Sequence, residues 1–175
     1  NGDDALKLLN KISDLDDKGY DQVKKWKGIA IVRKGTLLAK LGRTDQVLQL
    51  TKNSRKFLQS IPKARTAKIV RDLIVGVSEV PGTVDLQEKL CVDSIKWCKE
   101  QKRNFLRQRL ETRHAAVMRQ LGRYDEAIGL LRRLQREVKK IDDKQLLVEI
   151  NLVESRVQFN LKNMPKAKAA LTAAR

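Results

Sequence analysis

Four residues suited to a left-handed backbone turn, Gly42, Gly82, Gly122 and Asn163, divide the chain at intervals of 40, 40 and 41 residues. Around three of them the local sequence recurs: LAKLGRTDQVLQL, MRQLGRYDEAIGLL and FNLKNMPKAKAAL. A Gly or Asn behind a Leu is the residue type that can close a helix in the left-handed conformation. Thr44 and Asp125 then offer a cap or first-turn charge to the next helix, and Pro165 suits its first turn. Ala127 and Ala167, beyond two of the turns, let the two helices approach closely. The Gly82 copy lacks the preceding Leu.

Between the tips, apolar residues step by three and four, the spacing of one helical face. One stripe runs Ile29, Val32, Thr36, Leu37 to Leu41, and another Val47, Leu50, Phe57, Ile61. Ala67, Val70, Leu73, Ile74 and Val77 precede Leu86, Leu90, Ile95 and Cys98. Leu106, Leu110, His114, Val117 and Leu121 come next, then Ala127, Leu131, Leu134, Val138 and Ile141, then Leu146, Ile150, Val153, Val157 and Leu161. The links are short (Gly42-Arg43, Pro81-Gly82-Thr83, Gly122-Arg123, Asp142-Asp143, Lys162-Asn163), and short links make neighbouring helices antiparallel. Three prolines and nine glycines in 175 residues are too few for a β-sandwich or barrel. The expected fold is all-α: a right-handed α-solenoid of TPR-like antiparallel hairpins, forming a single segment over residues 1–175. Its period of about 40 exceeds the usual 34. Because Asn1 is not Met and AALTAAR breaks off inside a hairpin, a longer protein is expected on both counts.

The chemistry-bearing residues are sparse. There is no Gly-rich phosphate loop, no HExxH and no Gly-x-Ser-x-Gly elbow, so no catalytic residue, cofactor or metal is expected. The single histidine, His114, lies on an apolar stripe and reads as a packed, hydrogen-bonded imidazole. Cys91 and Cys98 are seven apart, about 10 Å along one helix. That exceeds the roughly 7 Å a disulfide tolerates. They read as buried reduced thiols of an intracellular chain. The acidic pairs Asp3-Asp4, Asp16-Asp17 and Asp142-Asp143 read as helix-start charges. No apolar run reaches the roughly 18 residues of a membrane span.

What the hairpins leave unexplained is charge. Lys and Arg number 38 against 21 Asp and Glu, a net +17. Arg132, Arg133, Arg136, Lys139 and Lys140 make a basic ridge opposite the Ala127–Ile141 stripe. Lys99, Lys102, Arg103, Arg107, Arg109 and Arg113 form a second dense group. One-sided charge favours an acidic partner surface or a polyanion. Aromatic residues make up only 4% of the chain. Trp26, Tyr124 and Phe159 are scattered and Trp97 reads as core, so the stacking platforms of single-strand nucleic-acid binders are missing. A basic solenoid holding RNA through its backbone is the alternative reading.

KRNFLRQRLETRHAAVMRQLGRYDEAIGLL, LQREVKKIDDKQLLVEINLVESR and NMPKAKAALTAAR together resemble the family of the 26S proteasome lid subunit called non-ATPase regulatory subunit eleven. GTLLAKLGRTDQV and KARTAKIVRDLI match it upstream, and the likeness runs from about Leu6 to Arg175. The resemblance implies an N-terminal TPR-like solenoid joined elsewhere to a PCI domain, which this chain lacks. It implies a scaffold in the cytoplasm and nucleus, neither peptidase nor deubiquitinase, serving ubiquitin-dependent degradation. The implied partners are other lid subunits, a core-particle α-ring subunit and a base ATPase subunit. The hairpins from about Ala5 to Ile61 are the expected core-particle contacts, with Lys24, Lys25, Lys27, Arg33, Lys34, Lys52, Arg55 and Lys56 as candidate residues. The basic charge exceeds what this family segment is expected to carry, and the Pro81-Gly82-Thr83 link departs from the family pattern.

Overall fold

A computed structural model describes residues 2–13 and 21–175. Among the described residues there are ten helices and no strands: α1 (Gly2–Ser13), α2 (Asp21–Lys40), α3 (Thr44–Asn53), α4 (Arg55–Ser60), α5 (Lys63–Ser78), α6 (Val84–Glu100), α7 (Asn104–Gln120), α8 (Tyr124–Ile141), α9 (Lys144–Asn160) and α10 (Met164–Ala173). This is the all-α hairpin architecture of the α-solenoid class. The chain forms two compact units, Asn1–Leu90 and Cys91–Arg175, with the boundary inside α6.

The links explain the hairpins. Positive φ occurs at Gly42, Gly82, Lys102, Gly122, Asp142 and Lys162. At four of these links the same two bonds close the helix. The left-handed residue donates to the carbonyl three before it, and its successor donates five back: Gly42 to Ala39 and Arg43 to Leu38, with equivalents at Lys102, Gly122 and Lys162. This is the Schellman closure. The expectation for Asn163 is therefore corrected. Lys162 takes the left-handed turn, while Asn163 caps α10 by accepting a bond from the Lys166 amide. Thr44 begins α3 without capping it. Pro165 sits in the first turn of α10, and Asp125 in that of α8. The Pro81-Gly82-Thr83 link is knotted by a buried hydroxyl: Thr83 Oγ1 donates to the carbonyls of Val77 (2.8 Å) and Val80 (2.7 Å).

In the first unit α2 packs on α1, α3 and α5 around Leu6, Leu38, Val47, Leu73, Val77, Leu86 and Leu90. Gly35 permits the close approach of α2 to α5: a Cβ there would lie 2.2 Å from Leu73 Cδ1. The single helix read over Val47–Ile61 is two. Ser54 interrupts it, and Ile61, extended ahead of Pro62, ends α4. The α2 stripe also shifts. Ala30, Ile31, Leu38 and Ala39 are buried, whereas Leu41 is exposed.

In the second unit α7 packs on α8 and α9, α8 on α9, and α9 on α10. Their core is Ala115, Leu131, Leu134, Val138, Leu146, Ile150 and Val157. Ile141 and Leu161, read as stripe residues, are exposed at helix ends. Cys91, Cys98, Trp97 and His114 are buried as expected. Asp3 and Asp4 lie in the first turn of α1, and Asp143 caps α9 by accepting from the Leu146 amide. Asp16-Asp17 lies outside the described residues.

Candidate interaction surfaces

Among the described residues, two clefts and two sets of cations offer surfaces for chemistry. In the first unit α2 and the α3–α4 pair enclose a cleft of about 480 Å³. Ile31, Leu38 and Leu50 give it an apolar floor, with Lys27 and Lys34 on one wall and Phe57 on the other. Lys27 and Lys34 share a wall because seven residues make about two helical turns. The Lys27 ammonium stands 6.0 Å from the Phe57 ring centroid, at the outer reach of a cation–π contact. Of the other sequence-derived candidates, Lys25, Arg33, Lys52 and Lys56 are exposed, and Lys24 and Arg55 are half-buried. None of the six lines the cleft, so the structure brings together two of the eight. At the start of α2, Arg65 of α5 makes two bonds to the Asp21 carboxylate (2.6 and 3.0 Å). The bond from Arg65 holds the Asp21 carboxyl below its ordinary pKa.

In the second unit the dense arginine group is not one basic face. Glu111, buried on α7, accepts from Arg107 at 3.0 Å, with Arg133 of α8 at 3.8 Å and Lys99 at 4.0 Å. Arg107 also donates to Glu137 of α8, as does Gln108 at 3.1 Å. Burial pushes the Glu137 carboxyl up, but the bonds from Arg107 and Gln108 prevail and hold it below its ordinary value. Arg109 reaches Glu149 (3.4 Å) and Asp143 (3.8 Å), with its guanidinium 4.7 Å from the Phe105 ring. The expectation of an outward second basic group thus fails for Arg107 and Arg109. Both guanidiniums are largely buried, and their charge is met by carboxylates of the same unit.

The α8 ridge is exposed along its length at Arg132, Arg133, Arg136, Lys139 and Lys140, but its sides differ. Arg133 leans toward Glu111, while Arg132 and Lys139 line a second cleft, about 530 Å³, between α8, α9 and α10. Gln135, Asn151 and Glu154 tie that cleft together, and a reading of charge and apolar stripes passes over all three. The signal available in the sequence is three polar residues spaced among the apolar positions of α8 and α9. Trp26 is exposed in the first unit and Phe159 in the second. Among the described residues no three His, Cys, Asp or Glu side chains converge as a metal site, and no helix is long and apolar enough to cross a membrane.

Antiparallel hairpins closed by recurring left-handed links, with charged clefts along them, define an α-helical repeat protein. The chain belongs to the family of the 26S proteasome regulatory subunit RPN6 N-terminal domain, whose model matches residues 1–121. Its relatives include the 26S proteasome non-ATPase regulatory subunit 11 homolog of Arabidopsis thaliana, 43% identical over the whole of this chain and 42% of that protein. The Dictyostelium discoideum 26S proteasome non-ATPase regulatory subunit 11 is 43% identical over 98% of the chain and 40% of its own length. The Saccharomyces cerevisiae 26S proteasome regulatory subunit RPN6 is 36% identical over 83% and 34%. The chain thus spans about two fifths of the length of the first two relatives.

Proposed function

We propose that this chain is a protein-contact segment of a proteasome regulatory-particle lid subunit. In this reading it is a right-handed, non-catalytic scaffold that clamps the lid to the core particle and to the ATPase base, in cytoplasm and nucleus, in support of ubiquitin-dependent degradation. The observation that carries the reading is the family match over residues 1–121, made by a chain whose described residues are all helical hairpins and links. A stack of hairpins contacts only its neighbours and leaves its flanks for other proteins. The exposed lysines Lys25, Lys52 and Lys56 give the first unit flanks suited to an acidic protein surface.

Purifying a tagged protein that contains this segment from its own cells, with mass spectrometry of what accompanies it, tests the assignment. Regulatory-particle and core subunits are expected together. Their absence overturns the reading. Reversing charge at Lys52 and Lys56 is expected to weaken association with the core particle while leaving helicity intact. Unchanged association clears those two residues of the role.

A further inference from the structure

The cleft between α8, α9 and α10 has a chemistry that does not depend on incorporation into a proteasome. Its three walls are tied to one another from inside. Gln135 of α8 donates through one amide to both Asn151 (2.9 Å) and Glu154 of α9. Asn151 in turn donates to the Ala173 carbonyl of α10 (3.0 Å), and Ser155 to that of Ala167 (2.8 Å). Side chains that tie α8 to α9 and α9 to α10 restrain the width of the cleft before any partner arrives, which lowers the ordering cost of binding.

Its lining is sorted. Leu147, Ala169 and Ala173 are apolar or small, so another backbone can come close. Arg132 and Lys139 stand on the α8 wall and Lys166 on the α10 wall. Among the described residues none of these three side chains is in an ion pair. The cleft's one carboxylate, Glu154, already accepts from Gln135. Cations thus stand on both the α8 and the α10 sides of the cleft, the alanines lie beside Lys166 on α10, and α9 contributes Leu147 with Asn151, Glu154 and Gln158, leaving a net positive charge that an anionic partner answers. From Leu147 to Gln158 the α9 wall advances about 16 Å, room for about three helical turns of a bound segment. At about 530 Å³ the cleft also falls within the usual size of ligand-holding pockets.

From this geometry we propose that the α8–α9–α10 cleft is a docking site for a short acidic segment of a partner protein. Carboxylates would engage Arg132, Lys139 and Lys166, and small apolar side chains would rest on Leu147, Ala169 and Ala173. The remaining ridge cations, Arg133, Arg136 and Lys140, line no part of the cleft and contribute nothing specific.

The test uses the 175-residue chain and a fluorescein-labelled helical peptide of alternating glutamate and alanine turns, read by fluorescence anisotropy at physiological salt. The expected result is saturable binding that Lys139→Glu with Lys166→Glu weakens about tenfold or more, because each substitution sets like charges against the peptide. Both lysines are exposed, so unchanged helical circular dichroism is expected in this variant. Arg136→Glu with Lys140→Glu, equal in charge but outside the cleft, should change affinity by less than about twofold, since neither side chain lines the cleft and solvent and salt screen their charge from a ligand seated there. Equal losses in the two variants would mean diffuse charge attraction and overturn the proposal. So would equal binding of the glutamine-for-glutamate peptide, or no binding at all. A uridine oligonucleotide that binds more tightly than the peptide, with the same dependence on Lys139 and Lys166, would reassign the cleft to nucleic acid and overturn it too.

Discussion

Lys102, Asp142 and Lys162 hold positive φ where Gly42, Gly82 and Gly122 do so without a side chain. A left-handed backbone costs a residue bearing a Cβ about 1–2 kcal/mol, and glycine avoids that cost. The Gly122 turn is open, with nothing within 4 Å of where a Cβ would stand, so sterics between neighbours do not enter there. Gly122→Ala should therefore lower stability by about 1 kcal/mol through backbone strain alone. Lys162→Gly should raise it by roughly 0.5–1 kcal/mol, because the same closing bonds form with the strain removed. Chemical denaturation of the two variants beside the parent checks both signs. Two shifts in the same direction would refute this account of the links. At this scale sequence reading succeeded where glycine announced the turn; it placed the links at Asp142-Asp143 and Lys162-Asn163 without the left-handed residue in them, and gave no link at Lys102. At these three residues the successor's bond to the carbonyl five residues back, or the cap at Asp143, enforces a conformation that the residue type does not advertise.

Helices α7 and α8 are held by charge as well as by their apolar seam. Glu137 is ionised below its ordinary pKa in the folded state because Arg107 and Gln108 bond to the charged form. A carboxyl whose folded pKa is depressed contributes its full stability above the unfolded value, near 4.5, and loses it as pH falls through the folded value. The melting-temperature advantage of the parent over Glu137→Gln should thus be largest at neutral pH and shrink steadily below about pH 4.5. An advantage that stayed constant down to pH 3 would show that Glu137 makes no charge-dependent contribution.

The apolar seams of these helices were legible because Leu110, Leu131, Leu134 and Ile150 recur at helical spacing and are all buried. The fate of Arg107 and Arg109 was not. Their carboxylate partners Glu137, Asp143 and Glu149 lie 30 to 40 residues away, a distance that hairpin stacking closes but no local pattern reveals. Only the Arg107–Glu111 pair, four apart on one helix, was readable in advance. The α2 stripe slipped for a related reason. Gly28 and Gly35 are buried contact positions, and a search for large apolar residues passes over them.

For the whole molecule, two compact units share one construction, hairpins around aliphatic cores. Each meets part of its positive charge internally, at Asp3 and Asp21 in the first unit and at Glu111, Glu137 and Glu149 in the second, and each leaves other cations exposed, among them Lys25, Lys52 and Lys56 in the first and Arg136, Lys139 and Lys140 in the second. Fold class and family were readable from the recurring tips and from the motifs downstream of Lys102. The working surface was readable only as an excess of charge, because which cations face outward depends on pairings between helices. The proposed scaffold role, carried by the family match, requires those outward faces to meet other subunits, and lysine-reactive cross-linking of assembled proteasomes carrying the tagged protein tests it most directly. The expected result is cross-links from Lys25, Lys52 or Lys56 to core-particle or ATPase subunits. Abundant cross-links within the chain, with none from these lysines to any proteasome subunit, would contradict it.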